Sequence, residues 1–118
     1  MPSINNQQGK VYPSPTRARY REAVIVVVKL EDHHSPYQAR IRDGMILVNN
    51  NSPVTVLLPE ARFGKILRVK AAAGCSQENS ITLQPPSGKT VDGEEVLTLT
   101  IPYSSVILVS DETGWLIF

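Results

Sequence analysis

The sequence predicts an all-β domain: a small sandwich or β-prism of short antiparallel strands, preceded by an extended arm. Three observations carry this. Ser80-Ile81-Thr82-Leu83-Gln84 and Val96-Leu97-Thr98-Leu99-Thr100-Ile101 alternate apolar and polar residues with period two, as strands with one buried face do. Breaker clusters such as Asn49-Asn50-Asn51-Ser52-Pro53 and Pro85-Pro86-Ser87-Gly88 recur throughout, cutting the chain into short segments. Nowhere do apolar residues recur at helical spacing over a useful length. The one stretch that tries, 16–23, runs straight into the β-branched series Val24-Ile25-Val26-Val27-Val28, which disfavours helix.

Residues 1–21 differ from the rest. They carry Lys10, Arg17, Arg19 and Arg21 without an acidic residue, together with Pro2, Pro13 and Pro15. Proline fixes φ and removes a donor, so an extended basic arm is expected here, followed by a β-rich module over 22–118. The module opens with Ala23 to Leu30, a run that reads as a strand buried on both faces. A polar loop over 31–36 leads to a mixed segment ended by Asp43-Gly44. Strands follow at Met45-Ile46-Leu47-Val48, at 54–58 up to Pro59, and at 64–70 before Ala71-Ala72-Ala73-Gly74. The strand at 80–84 precedes the turns Pro85-Pro86-Ser87-Gly88 and Asp92-Gly93. The strand at 96–101 stops at Pro102. Segments 105–110 and 114–118 form a final pair around Asp111-Glu112-Thr113-Gly114.

The 118 residues suffice for one domain with a modest core, and a hydrophobic content of 42% excludes wholesale disorder. A net charge of +1 gives no general drive toward nucleic acid or an anionic membrane. No apolar run approaches the roughly twenty residues that span a bilayer, and residues 1–10 lack the apolar centre of a signal peptide. The single Cys75 cannot form an intrachain disulfide, which suits synthesis in a reducing cytoplasm. The C-terminal Trp115-Leu116-Ile117-Phe118 is apolar on both alternating faces, as is the run at Val24. Two such strands in a small domain predict burial between subunits. Val24, Ile25, Val26, Leu116, Ile117 and Phe118 are therefore expected at an oligomer interface.

From Asp43 to Phe118 the chain resembles a module of phage tail fibres, neck appendages and head fibres. The resemblance rests on an ordered set: Met45-Ile46-Leu47-Val48, Val54-Thr55-Val56-Leu57-Leu58-Pro59, Gly64-Lys65-Ile66-Leu67-Arg68-Val69-Lys70, Asn79-Ser80-Ile81-Thr82-Leu83-Gln84-Pro85, Gly88-Lys89-Thr90-Val91-Asp92-Gly93, Leu97-Thr98-Leu99, Ser105-Val106-Ile107-Leu108-Val109-Ser110-Asp111, and Gly114-Trp115. About two-thirds of the chain is covered, in the family's order. The turn before the tryptophan, Asp111-Glu112-Thr113-Gly114, is longer than the family's usual Asp-Gly. The resemblance implies a trimeric unit of virion projections, made in the host bacterial cytoplasm. A module with only an arm attached suits a capsid decoration (cement) protein or short head fibre. Its partners are then two further copies and the major capsid protein or another virion protein. The arm residues Lys10, Tyr12, Arg17, Arg19, Tyr20 and Arg21 would make the attachment. The rival expectation is a receptor- or carbohydrate-binding module of a tail fibre. It would recognise a host surface glycan through Tyr37, Tyr103 and Trp115 grouped on one exposed face.

No residue set points to catalysis, a metal or a cofactor. Ser87-Gly88-Lys89-Thr90 looks like the end of a phosphate-binding loop, but Leu83 stands where that motif needs glycine. His33-His34 on a strand would point to opposite faces and could not easily share one ion; one of them presented three times on a trimer axis could hold a metal, but a solvated loop is the favoured reading. Asp92, Glu94 and Glu95 sit in one turn, whereas a glycosidase needs two carboxylates across a cleft. Cys75 has no basic neighbour to activate it. Arg17, Arg19 and Arg21 would face one side of an extended chain, and four positive charges on a near-neutral domain favour a protein surface over nucleic acid.

Overall fold

The computed structural model describes residues 15–19 and 25–118. Lys10, Tyr12, Tyr20, Arg21 and Val24 lie outside the described residues. The described chain is all-β, with a one-turn helix at Asp32–His34. Its strands are β1 (Thr16–Arg19), β2 (Val26–Leu30), β3 (Tyr37–Gln38), β4 (Met45–Val48), β5 (Val54–Leu57), β6 (Ile66–Ala71), β7 (Ile81–Gln84), β8 (Thr90–Val91), β9 (Leu97–Leu99), β10 (Ser105–Asp111) and β11 (Gly114–Ile117). They form a large sheet, β1-β2-β4-β6-β10-β11-β8, and a small one, β3-β5-β7-β9.

Between β2 and β7 the chain alternates sheets at every strand. Equivalent strands of successive circuits stack in parallel: Val27 beside Met45 beside Arg68 in the large sheet, and Val56 between Tyr37 and Leu83 in the small one. Each circuit takes roughly twenty residues, so this part is a short solenoid. The expected antiparallel arrangement is thus corrected. Antiparallel pairing is confined to β1 on β2, β10 on β6, β10 on β11 and β9 on β7. The reason is physical: a strand with one buried face alternates with period two whichever way its neighbour runs. Part of the expected arm, Thr16–Arg19, forms β1 and places Arg17 opposite Val28 and Arg19 opposite Val26.

The core lies between the sheets. Ile46, Val48, Leu67, Val69 and Leu108 point inward from the large sheet and meet Val54, Val56, Ile81 and Leu83 from the small one, all buried. Each such side chain contributes about 1.5–3 kcal/mol when withdrawn from water. In β2 only Val28 and Leu30 are buried; Val26 and Val27 are half-buried and Lys29 is exposed. The expectation of a strand buried on both faces is corrected, because among the described residues this sheet has a layer on one side only.

Buried polar side chains pin the corners. Asn50 donates from Nδ2 to the carbonyls of Ser52 and Asn79, both at 2.9 Å, tying one circuit to the next. Asp43 accepts from the Tyr37 hydroxyl at 2.6 Å and from the Arg40 N–H at 2.9 Å. Gly74 passes so close to this corner that a Cβ would stand 1.9 Å from the Asn50 carbonyl oxygen. At the other end, Val91 and Glu94 exchange backbone hydrogen bonds around Asp92-Gly93. Both turn residues have positive φ, the backbone of a two-residue hairpin turn of the primed type.

Candidate functional site

The two outer faces follow from strand alternation and differ in chemistry. On the small sheet, Thr55, Thr82 and Thr98 form one cross-strand row and Gln38, Leu57 and Gln84 another; these strands present no charge outward. On the large sheet, one row runs Val27, Met45, Arg68, Ile107, and a second runs Ile66, Val109, Leu116. Phe118 extends the first row, its N–H donating to the Ile107 carbonyl at 2.9 Å. Ile66 is 45% exposed, Ile107 40% and Phe118 76%. Ile41 and Phe63, also exposed, line a shallow hollow of about 580 Å³ beside Gly64 and Lys65, just ahead of β6. Of the exposed large apolar side chains, Ile66, Ile107 and Phe118 thus share this face around Arg68, Ile41 and Phe63 lie in the loops that enter this sheet, and Val96, Ile101 and Tyr103 lie around β9 and the turn after it.

The structure divides the expected interface residues. Leu116 and Phe118 lie on this outer face, and Ile25 is half-buried just before β2. Val26 and Ile117 instead pack against the chain's own core and are half-buried there. Ile66, Ile107 and Val109 were not anticipated. Their signal was present in 105–110, where Ile107 and Val109 alternate with the inward Leu108 and Ser110.

The expected ligand-binding aromatics do not share a face. Tyr37 is buried, its hydroxyl satisfied by Asp43. Trp115 is buried with its Nε1–H on the Pro59 carbonyl at 3.2 Å. Only Tyr103 of the three is exposed. Both corrected residues have a polar tip that finds an acceptor inside the fold, which is what lets such a ring be fully buried.

The remaining reactive side chains have structural work. Lys89 donates from Nζ to the Glu112 carbonyl across the turn at 2.9 Å. Asp92 accepts the Ile117 N–H at 3.0 Å. Cys75 is buried near the Leu99 carbonyl, and burial pushes its thiol up. Within the loop expected over 31–36, His33 and His34 occupy the one-turn helix, and their rings lie together, centroids 4.0 Å apart. His34 Nδ1 accepts the Glu31 N–H at 2.8 Å. Burial, then the adjacent His33, holds the His34 imidazole below its ordinary value, with Glu31 opposing. Among the described residues no group of three or more His, Cys, Asp or Glu could hold a metal ion. No helix among them is long and apolar enough to cross a membrane. No protein-family model matches the chain, and no curated protein matches it.

Proposed function

We propose that this chain is a non-enzymatic structural module of a bacteriophage virion, a capsid decoration protein or short head fibre that associates with copies of itself. The observation that carries this is the apolar group on the outer face of the large sheet, with Ile66, Ile107 and Phe118 open to solvent in adjoining rows. Covering that face with further copies removes apolar surface from water and shields the sheet. The ordered resemblance to phage fibre modules supports the virion setting, and the trimer is the state it implies. In this reading the segment before β1, which carries Lys10 and Tyr12, attaches the module to the capsid. Because Thr16–Arg19 belongs to the sheet, attachment falls to residues 1–15.

Light scattering on the full chain and on the version starting at residue 15 tests the assembly: both should have the mass of a trimer. Ile107→Glu on the large sheet should yield monomers, while Thr82→Glu on the small sheet should leave the mass unchanged. A monomeric wild-type chain, or an Ile107→Glu variant that remains oligomeric, would overturn the reading. Capsid co-sedimentation should be lost in the version starting at residue 15; retained binding would remove the arm's role.

A further inference from the structure

Where β2, β4 and β6 end, the chain leaves the large sheet beside a cleft of about 440 Å³. Lys29, Leu47 and Lys70 are neighbours in one cross-strand row along it, with the two lysines about 10 Å apart at two strand spacings. Ala72 and Ala73 line the corner after β6 and leave it open, and Tyr103 stands over it, 62% exposed.

Tyr103 occupies a costly place. In the turn Ile101-Pro102-Tyr103-Ser104, closed by the Ser104 N–H on the Ile101 carbonyl at 3.2 Å, it has φ of 63°. Proline followed by a positive φ is the pattern in which glycine or asparagine is favoured. A tyrosine there carries backbone strain that either would reduce. What the tyrosine adds is an exposed ring, and that ring is held in relation to charge. Lys70 donates from Nζ to the Tyr103 carbonyl, and its ammonium stands 6.0 Å from the ring centroid. An ammonium with one hydrogen bond made keeps two donors. Lys29 supplies the second cation across Leu47. Among the described residues Glu31 is the one acid lining the cleft, against Lys29 and Lys70, so this lining is net positive.

We propose that this cleft binds an acidic saccharide, a pyranose carrying a carboxylate as in uronic or sialic acids. The aromatic ring and Leu47 take the C–H face of the sugar, and Lys29 and Lys70 take the carboxylate by charge-assisted hydrogen bonds. A neutral sugar leaves the two cations unanswered, and a simple anion makes no use of the ring. This goes beyond the assembly reading, and because the row lies two residues along from Val27, Met45 and Arg68 on the same outer face, it requires that the copies leave this end of the face open; a saccharide titration can fail while the mass is trimeric, and the reverse.

The experiment is calorimetric titration of the full chain with trigalacturonate and with sialyllactose, against lactose and triglutamate. At least one acidic saccharide should bind in the millimolar range, with lactose silent at the same concentration. Tyr103→Asn tolerates the positive φ and keeps the turn; it should weaken binding about tenfold without lowering the melting temperature. Lys29→Gln combined with Lys70→Gln should abolish it. Failure of both acidic saccharides to bind would overturn the proposal. So would triglutamate binding as tightly as the saccharide with Tyr103→Asn without effect, since that describes a charged patch alone.

Discussion

The parallel coils from β2 to β7 and the cap from β8 to β11, where the β10–β11 hairpin is antiparallel and β8 runs parallel to β11, cover the same core by different means. In the coils, successive strands belong to different layers, and the corners are held by side chains: Asn50 bridges to Ser52 and Asn79, and Asp43 gathers Tyr37 and Arg40. In the cap, neighbouring segments are joined by tight turns that satisfy themselves. Asp111 Oδ1 accepts from the Thr113 N–H and hydroxyl at 2.9 Å and from the Gly114 N–H at 3.0 Å. Trp115 links the regions through Pro59. The difference shows where the architecture is local in sequence and where it depends on distant contacts, and it places the apolar β11 in the locally determined part.

Removing the link should have the largest effect. Trp115→Ala should cost about 3–5 kcal/mol, because a fully buried indole leaves a cavity that the neighbouring strands fill only partly; chemical denaturation measures it. A loss well under 1 kcal/mol would mean that cap and coils are not mutually dependent. Next come the two glycines at close approaches. A Cβ on Gly114, whose φ is +141°, would lie 2.1 Å from the Thr90 carbonyl oxygen, and one on Gly74 would meet the Asn50 carbonyl. Gly114→Ala and Gly74→Ala should each cost about 2–3 kcal/mol. The first should speed hydrogen exchange mainly in β8, β10 and β11, the second mainly at the coil corners. Uniform loss of protection in both would erase the regional distinction. Asn50→Ala should cost about 1–2 kcal/mol by leaving the Ser52 and Asn79 carbonyls without their donor.

Acid should separate the regions most gently. Hydrogen bonds from the Thr113 hydroxyl, then from backbone N–H groups, with Lys89 adding to them, hold the Asp111 carboxyl below its ordinary 3.8. His34 is held below its ordinary 6.5. Both values are depressed on folding, so each group stabilises the fold above its unfolded value and the contribution is lost as pH falls toward the folded one. The helical turn at His34 should therefore loosen first, below pH 6.5, and the Asp111 turn only below pH 3.8. Exchange of the Glu31 and Gly114 amides followed by NMR checks the order; simultaneous loosening would contradict it.

The cap was legible in the sequence because its instructions are local. Asp92-Gly93, Pro102 and Asp111-Glu112-Thr113-Gly114 mark turns that the structure contains, and the final pair of strands is the observed β10–β11 hairpin. The coils were not. Their alternation is the same for either strand direction, and the unequal loops between β2, β4 and β6 hide the repeat. Of the candidate surface, Leu116 and Phe118 could be read directly from the terminal strand. Ile66 and Ile107 required knowing that β6 and β10 share a sheet with it. Tyr37 and Trp115 were misplaced because their acceptors, Asp43 and Pro59, come from other parts of the fold.

A solenoid invites copying: each parallel strand offers the next circuit a template in the same direction. Here the three parallel strands of the large sheet are flanked by chains running the other way, β1 on one side and β10 on the other. The repeat is therefore punctuated on both sides of that run of parallel strands. A further circuit laid against either flank would find no strand running in its own direction, so this run of coils does not extend by simple repetition.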